Sequence, residues 1–191
     1  MSNKLKEQIF LWAPVAVLTA VAGLIYWFLI YRNEGKAIGL IASEINLIDA
    51  VWLILAIVAA GVVLFCFLKF IPMKYMYDPN VRTIADSFSL KFLAIYFVPN
   101  AFYEELIFRG ALQPVMGLLP ATLVFTLVHF SYYKRPVLMV EVFLQGLILA
   151  VLFEVTDSLW VTTLAHAIFN TAQTYLIKSD MIKYEPPQLE K

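Results

Sequence analysis

Two adjacent carboxylates, Glu104 and Glu105, stand in an apolar stretch of this chain, with Arg109 four residues beyond the second. Further on, His129 follows Phe125 by four residues and His166 precedes Asn170 by four; these are the chain's two histidines. Such groups are costly in hydrocarbon and face a bundle interior or a wet cavity. Glu105 and Arg109 share one helix face, in the order that favours an ion pair. Glu104 is turned about 100° from Glu105 around the helix. It therefore cannot share Arg109 equally, and it is left to act as a general base. His166 and Asn170 share a face of a second helix, and His129 projects from a third. Water activation by Glu104 and His129, with carbonyl polarisation by His166 and Asn170, would make a peptidase site. Alternatively Glu104, His129 and His166 could bind one divalent ion, such as zinc, that activates the water. There is no His-Glu-x-x-His helix, so spacing alone leaves both routes open, one metal ion or none.

The elements that must position these residues follow from composition. Of 191 residues, 62% are hydrophobic and 15% charged, against about 25% charged in an ordinary soluble domain. Mean hydropathy is +0.80. These values exclude a soluble enzyme, a disordered chain and a disulfide scaffold, and Cys66 has no second cysteine to pair with. Fourteen basic residues balance fourteen acidic ones, which leaves no basic face for nucleic acid. The expected fold is all-α, a polytopic membrane bundle of about six transmembrane helices around a polar cavity. Residues 9–31, 50–68 and 158–177 are free of Asp, Glu, Lys and Arg. Residues 88–112 carry Glu104, Glu105 and Arg109. A turn at Pro114, Gly117 and Pro120 separates them from a helix at 120–133, and residues 137–153 form the remaining span. We expect one integral membrane domain over 1–191. Residues 1–83 hold the first two helices, 84–178 a four-helix catalytic core, and 179–191 a cytoplasmic tail. Ala20, Val21 and Ala22 resemble a leader cleavage site, but the apolar run continues past them, so the first helix is read as retained.

Loop charge sets orientation. With six spans, the side holding the N-terminus carries Lys4, Lys6, Lys69, Lys74, Arg82, Lys134, Arg135, Lys178, Lys183 and Lys191. The opposite side carries only Arg32 and Lys36. Both termini are therefore expected in the cytoplasm. His129 lies five residues before Lys134, near that face, whereas a helix running straight inward from Ser87 would bury Glu104 about 26 Å deep. The sequence reading resolves this by laying 88–98 along the interface and turning the chain inward near Pro99.

Glu-Glu-x-x-x-Arg at Glu104 to Arg109, Phe-x-x-x-His at Phe125 to His129, and His-x-x-x-Asn at His166 to Asn170 occur in this order on apolar helices. In this the chain resembles the CPBP family, the CAAX protease and bacteriocin-processing (Abi) intramembrane endopeptidases. Phe108-Arg109-Gly110 and Ser158-Leu159-Trp160 add to the resemblance, which covers roughly 90–175. It implies an endopeptidase cutting a peptide or membrane-protein substrate within membrane lipid, in a prokaryotic cell membrane. Glu104 and His129 would activate water, His166 and Asn170 would bind the oxyanion, and Glu105 and Arg109 would support the site. The family is described as metalloproteases, and a metal-free glutamate mechanism is the alternative. A non-catalytic regulator or peptide-immunity protein that keeps the fold is the competing function. A proton-relaying transporter is a third, disfavoured because no matched pair of broken helices appears. Asp49 and Asp157 are read as helix-start acids, and Glu141 and Glu154 as end groups of one span; Glu141, close to the end where His129 emerges, is the one of these that could line the site.

Overall fold

The computed structural model describes residues 16–17, 19–28 and 45–185. Residues 9–15, 18 and 29–31 of the 9–31 run, the loop bearing Arg32 and Lys36, and the chain beyond Glu185 lie outside the described residues. The described chain is a helical bundle with no strand among those residues. Helix α1, Leu47–Phe70, begins at a reciprocal cap. The Asn46 side chain accepts from the Ile48 and Asp49 amides, and Asp49 accepts from the Asn46 amide. α1 turns Ile54, Val58, Val62 and Phe65 outward, each more than half exposed, and α1 is long and apolar enough to cross a membrane. Apolar side chains so displayed suit lipid and not water. The second helix that meets the same length and composition is α6, Pro136–Thr156, half of which is buried inside the bundle.

Asp78 caps the short α2, Pro79–Ser87, by accepting from the Asn80 amide, and Ser89 caps α3, Leu90–Glu105. The inward turn expected near Pro99 is absent, and α3 runs unbroken through it. Proline forfeits one backbone hydrogen bond, here the one to the Ile95 carbonyl, and neighbouring helices tolerate that loss inside an apolar bundle. The irregularity comes later. Beyond Glu105 the chain widens into a π-helix, Leu106–Leu112, that holds Arg109. It tightens again into α4, Gln113–Met116, and turns at Gly117. Gly117 has φ +86°, a conformation that costs any residue with a Cβ. α5, Leu118–Leu127, then runs back. It is shorter than the expected 120–133 helix, and His129 sits in the turn beyond it.

This hairpin brings Glu104 and His129 to one level without a break at Pro99. Glu104 lies thirteen residues before Gly117 and His129 twelve after it. One turn nearer the tip, Phe108 and Phe125 meet edge to face with ring centroids 5.1 Å apart. α7, Leu159–Lys178, capped by Ser158, lies antiparallel to α3. His166 meets Glu105 at one end, and at the other Lys178 donates to the Ala85 and Phe88 carbonyls. α6 runs alongside the π-helix and α4, with Arg109 bonded to the Gly146 carbonyl and Gln113 to the Ala150 carbonyl.

Candidate active site

Beneath the site lies a buried ion pair. Glu105 is 0% exposed and Arg109 1%. Arg109 Nη1 donates to Glu105 Oε1 at 3.3 Å, and its Nε lies 3.3 Å from Oε2. Nη2 donates to the Gly146 carbonyl at 2.8 Å. The guanidinium carbon stands 4.5 Å from the Phe125 ring centroid, a cation–π contact in a desolvated setting. The expected Glu105–Arg109 pair is therefore present. A buried charge pair is tolerable only when its remaining donors are satisfied, which the Gly146 carbonyl and the Phe125 face accomplish here. Gly146 permits this approach, since a Cβ at that position would lie 2.8 Å from Phe125 Cδ1.

The same Glu105 also holds His166, a role the sequence reading did not assign. His166 Nδ1 lies 2.7 Å from Glu105 Oε1. A carboxylate held by arginine only accepts, so Nδ1 carries the proton and Nε2 is left for the cavity. Nε2 is 3.8 Å from Glu104 Oε2, beyond a direct hydrogen bond. Glu104 is fixed on its other side by Asn100, whose Nδ2 donates to Oε1 at 3.0 Å. The sequence reading gives Asn100 no role at the site, although its i, i+4 spacing to Glu104 is the available signal.

His129 Nδ1 lies 2.7 Å from the Phe125 carbonyl. A carbonyl cannot donate, so Nδ1–H is again spent on the scaffold and Nε2 keeps a lone pair. Phe125 touches His129 and His166 by ring edge, with centroids 4.8 Å and 6.3 Å away. Tyr132 stacks on the other face of the site, 6.0 Å from the His129 ring. Glu104, His129, His166 and Asn170 all line one cavity of about 260 Å³. No direct Glu104–His129 hydrogen bond is among those of the described residues, and the imidazole nearer to Glu104 is that of His166. Glu141, read in the sequence first as a helix-end group with a site role as the alternative, lines this cavity. Glu154 does not, and accepts from Gln113 instead.

A metal ion would need about three converging ligands. Among the described residues no group of three His, Cys, Asp or Glu side chains stands at such spacing. The candidates Glu104, His129 and His166 share a cavity, but at their spacing they form no ligand cage among the described residues, so the arrangement does not fit the ion.

Residues 86–172 match the family model described as Rce1-like, type II CAAX prenyl endopeptidase. A stretch of 83 residues is 34% identical to the uncharacterized protein YpbD of Bacillus subtilis, and it covers 44% of each chain. The match thus spans under half the length of that curated relative. No solved structure matches.

Proposed function

We propose, from the match of residues 86–172 to the Rce1-like family model of CAAX prenyl endopeptidases, that this chain is an intramembrane endopeptidase. The carrying observation is that Glu104, His129, His166 and Asn170, drawn from three separate segments, line one cavity above a buried Glu105–Arg109 pair. Glu104 takes a proton from a water held between its carboxylate and the lone pair on His129 Nε2. The water oxygen bonds to the substrate's carbonyl carbon, and the carbonyl electrons move to oxygen. Asn170 Nδ2 and the Nε2–H of the doubly protonated His166 donate to that oxyanion. The C–N bond then breaks, Glu104 passes its proton to the leaving nitrogen, and a carboxylic acid and an amine result, the acid giving up its remaining proton to the amine or to water. Glu105 and Arg109 hold the His166 ring and touch no reacting atom.

The test is cleavage of a quenched peptide library by purified protein in detergent. Glu104→Gln keeps volume and the Asn100 contact but removes the base. Turnover should fall by about 10²–10⁴-fold while substrate binding persists. His129→Ala should do nearly the same. His166→Ala and Asn170→Ala should each lower the rate by roughly 10²–10³-fold. Near-normal turnover by Glu104→Gln would remove the proposal.

The charge asymmetry of the loops supports cytoplasmic termini and a cavity served from that side. Reporters fused after Lys191 and within 32–44 should score opposite faces, and the same face for both would reverse this orientation.

A further inference from the structure

The cavity extends beyond the groups that the hydrolytic reading uses. Along α7, His166, Asn170, Gln173 and Thr174 follow one another on a single face, and all line it. On the facing helix α6, Glu141 and Gln145 line it as well. Gln173 Nε2 donates to Glu141 Oε1 at 3.1 Å, which ties the two helices together at this end. Gln145 Nε2 is directed to the Ala60 carbonyl of α1 at 3.3 Å. The rest of this wall is apolar, with Ala56, Val142 and Leu149 among its members.

Glu141 is 6% exposed and has no cationic partner among the ion pairs of the described residues. That contrasts with Glu105, whose charge Arg109 answers. The amides of Gln173 and Gln145 face the carboxylate, but they bring no charge and leave part of its acceptor capacity unused. A buried acid without a counter-charge is costly, so structural reasons alone do not account for it. The cost is recovered when a cation arrives in the cavity, because a charge-assisted contact in a desolvated site is the stronger kind.

We propose that Glu141, braced by Gln173, is a substrate subsite that receives a Lys or Arg side chain of the peptide. The inference rests on the endopeptidase reading of the same cavity and adds the substrate class. Gln173 lies seven residues along α7 from His166, about 10 Å at 1.5 Å per residue. An extended peptide rises about 3.3 Å per residue. The cationic residue therefore falls within about three positions of the scissile bond. The apolar wall opposite favours aliphatic residues beside it.

The experiment pairs peptides that differ only by Lys or norleucine at each position flanking the cut. Cleavage is measured with the wild type and with Glu141→Gln, which can keep the Gln173 contact through its amide oxygen. Binding of the same peptides is measured with Glu104→Gln, and with Glu104→Gln combined with Glu141→Gln, so that recognition is read without turnover. The wild type should favour Lys over norleucine by about 10–100-fold, the span of one charge-assisted hydrogen bond. Glu141→Gln should bring the Lys-to-norleucine ratio to about one, with the Lys peptides losing more than the norleucine ones. Glu141→Lys should turn the preference toward Glu-bearing peptides. An equal response to Lys and norleucine, or an equal loss for both in Glu141→Gln, overturns the subsite and leaves the hydrolytic reading standing. Lys-selective binding that depends on Glu141, in a protein that cuts nothing, sustains the subsite and removes the hydrolytic reading.

Discussion

His166 Nδ1 and Glu105 Oε1 lie 2.7 Å apart, although 61 residues separate them in the chain. That contact links the Arg109 pair to the cavity, because one carboxylate serves both partners. Its consequence is an asymmetry between neighbouring glutamates. Arg109→Ala strands a fully buried acid, and breaking such a pair costs about 3–5 kcal/mol. Folded yield in membranes should drop sharply for Arg109→Ala and little for Glu104→Gln. Equal, undiminished yield of both variants on size-exclusion would contradict a structural pair.

Metal removal should leave turnover intact. No three candidate ligands converge among the described residues. Chelator-treated protein, assayed with elemental analysis of the same sample, should keep its rate with less than one ion per chain. A rate lost on chelation and restored by zinc would show that the ligands rearrange to meet an ion.

Gly146→Ala should destabilise by about 1–3 kcal/mol, the usual cost of forcing atoms into a packed core. The new methyl would meet Phe125 Cδ1 at 2.8 Å, and Phe125 cannot yield without moving off Arg109 and His129. The distinguishing readout is turnover per folded molecule, which should fall along with thermal stability. A stability loss with unchanged specific activity would separate Phe125 from the site.

Outside the spans, Tyr184 accepts from the Asp78 amide at 2.8 Å and donates to the Met76 carbonyl. Burial pushes its phenol up to about 12 from the usual 10. The folded protein thus keeps this proton while the unfolded chain begins to lose it. The neutral phenol's stabilising contribution is whole below about pH 10 and fades between about 10 and 12. Tyr184→Phe should cost about 1–3 kcal/mol at neutral pH by stranding the buried Asp78 amide, and it should flatten that alkaline decline. Parallel alkaline unfolding curves for both proteins would count against this assignment.

The motif residues were legible because their chemistry is out of place in apolar helices. Helix periodicity also paired Glu105 with Arg109. What remained hidden depended on tertiary contact. Nothing local ties Glu105 to His166, or Arg109 to the carbonyl of Gly146, since both contacts need α3, α6 and α7 already packed. Pro99 misled for a physical reason. Its missing amide argues for a break in water, whereas inside a bundle the helix continues past it. The π-helix at Leu106–Leu112 left no mark in the residue pattern. Glu141 was assigned to a helix end because sequence distance from Pro136 says nothing about which wall it joins.

The near-equal arms on either side of Gly117 make the segment from Glu104 to His129 a ruler. One residue inserted in either arm would slide its partner by about 1.5 Å and swing it about 100°, and would part acid from imidazole. Residues added at the tip leave both arms unchanged. Chain length is therefore fixed along the arms and free to vary at Gly117. An insertion scan should recover active protein from additions at the tip alone, and active variants with single insertions inside α5 would break the ruler.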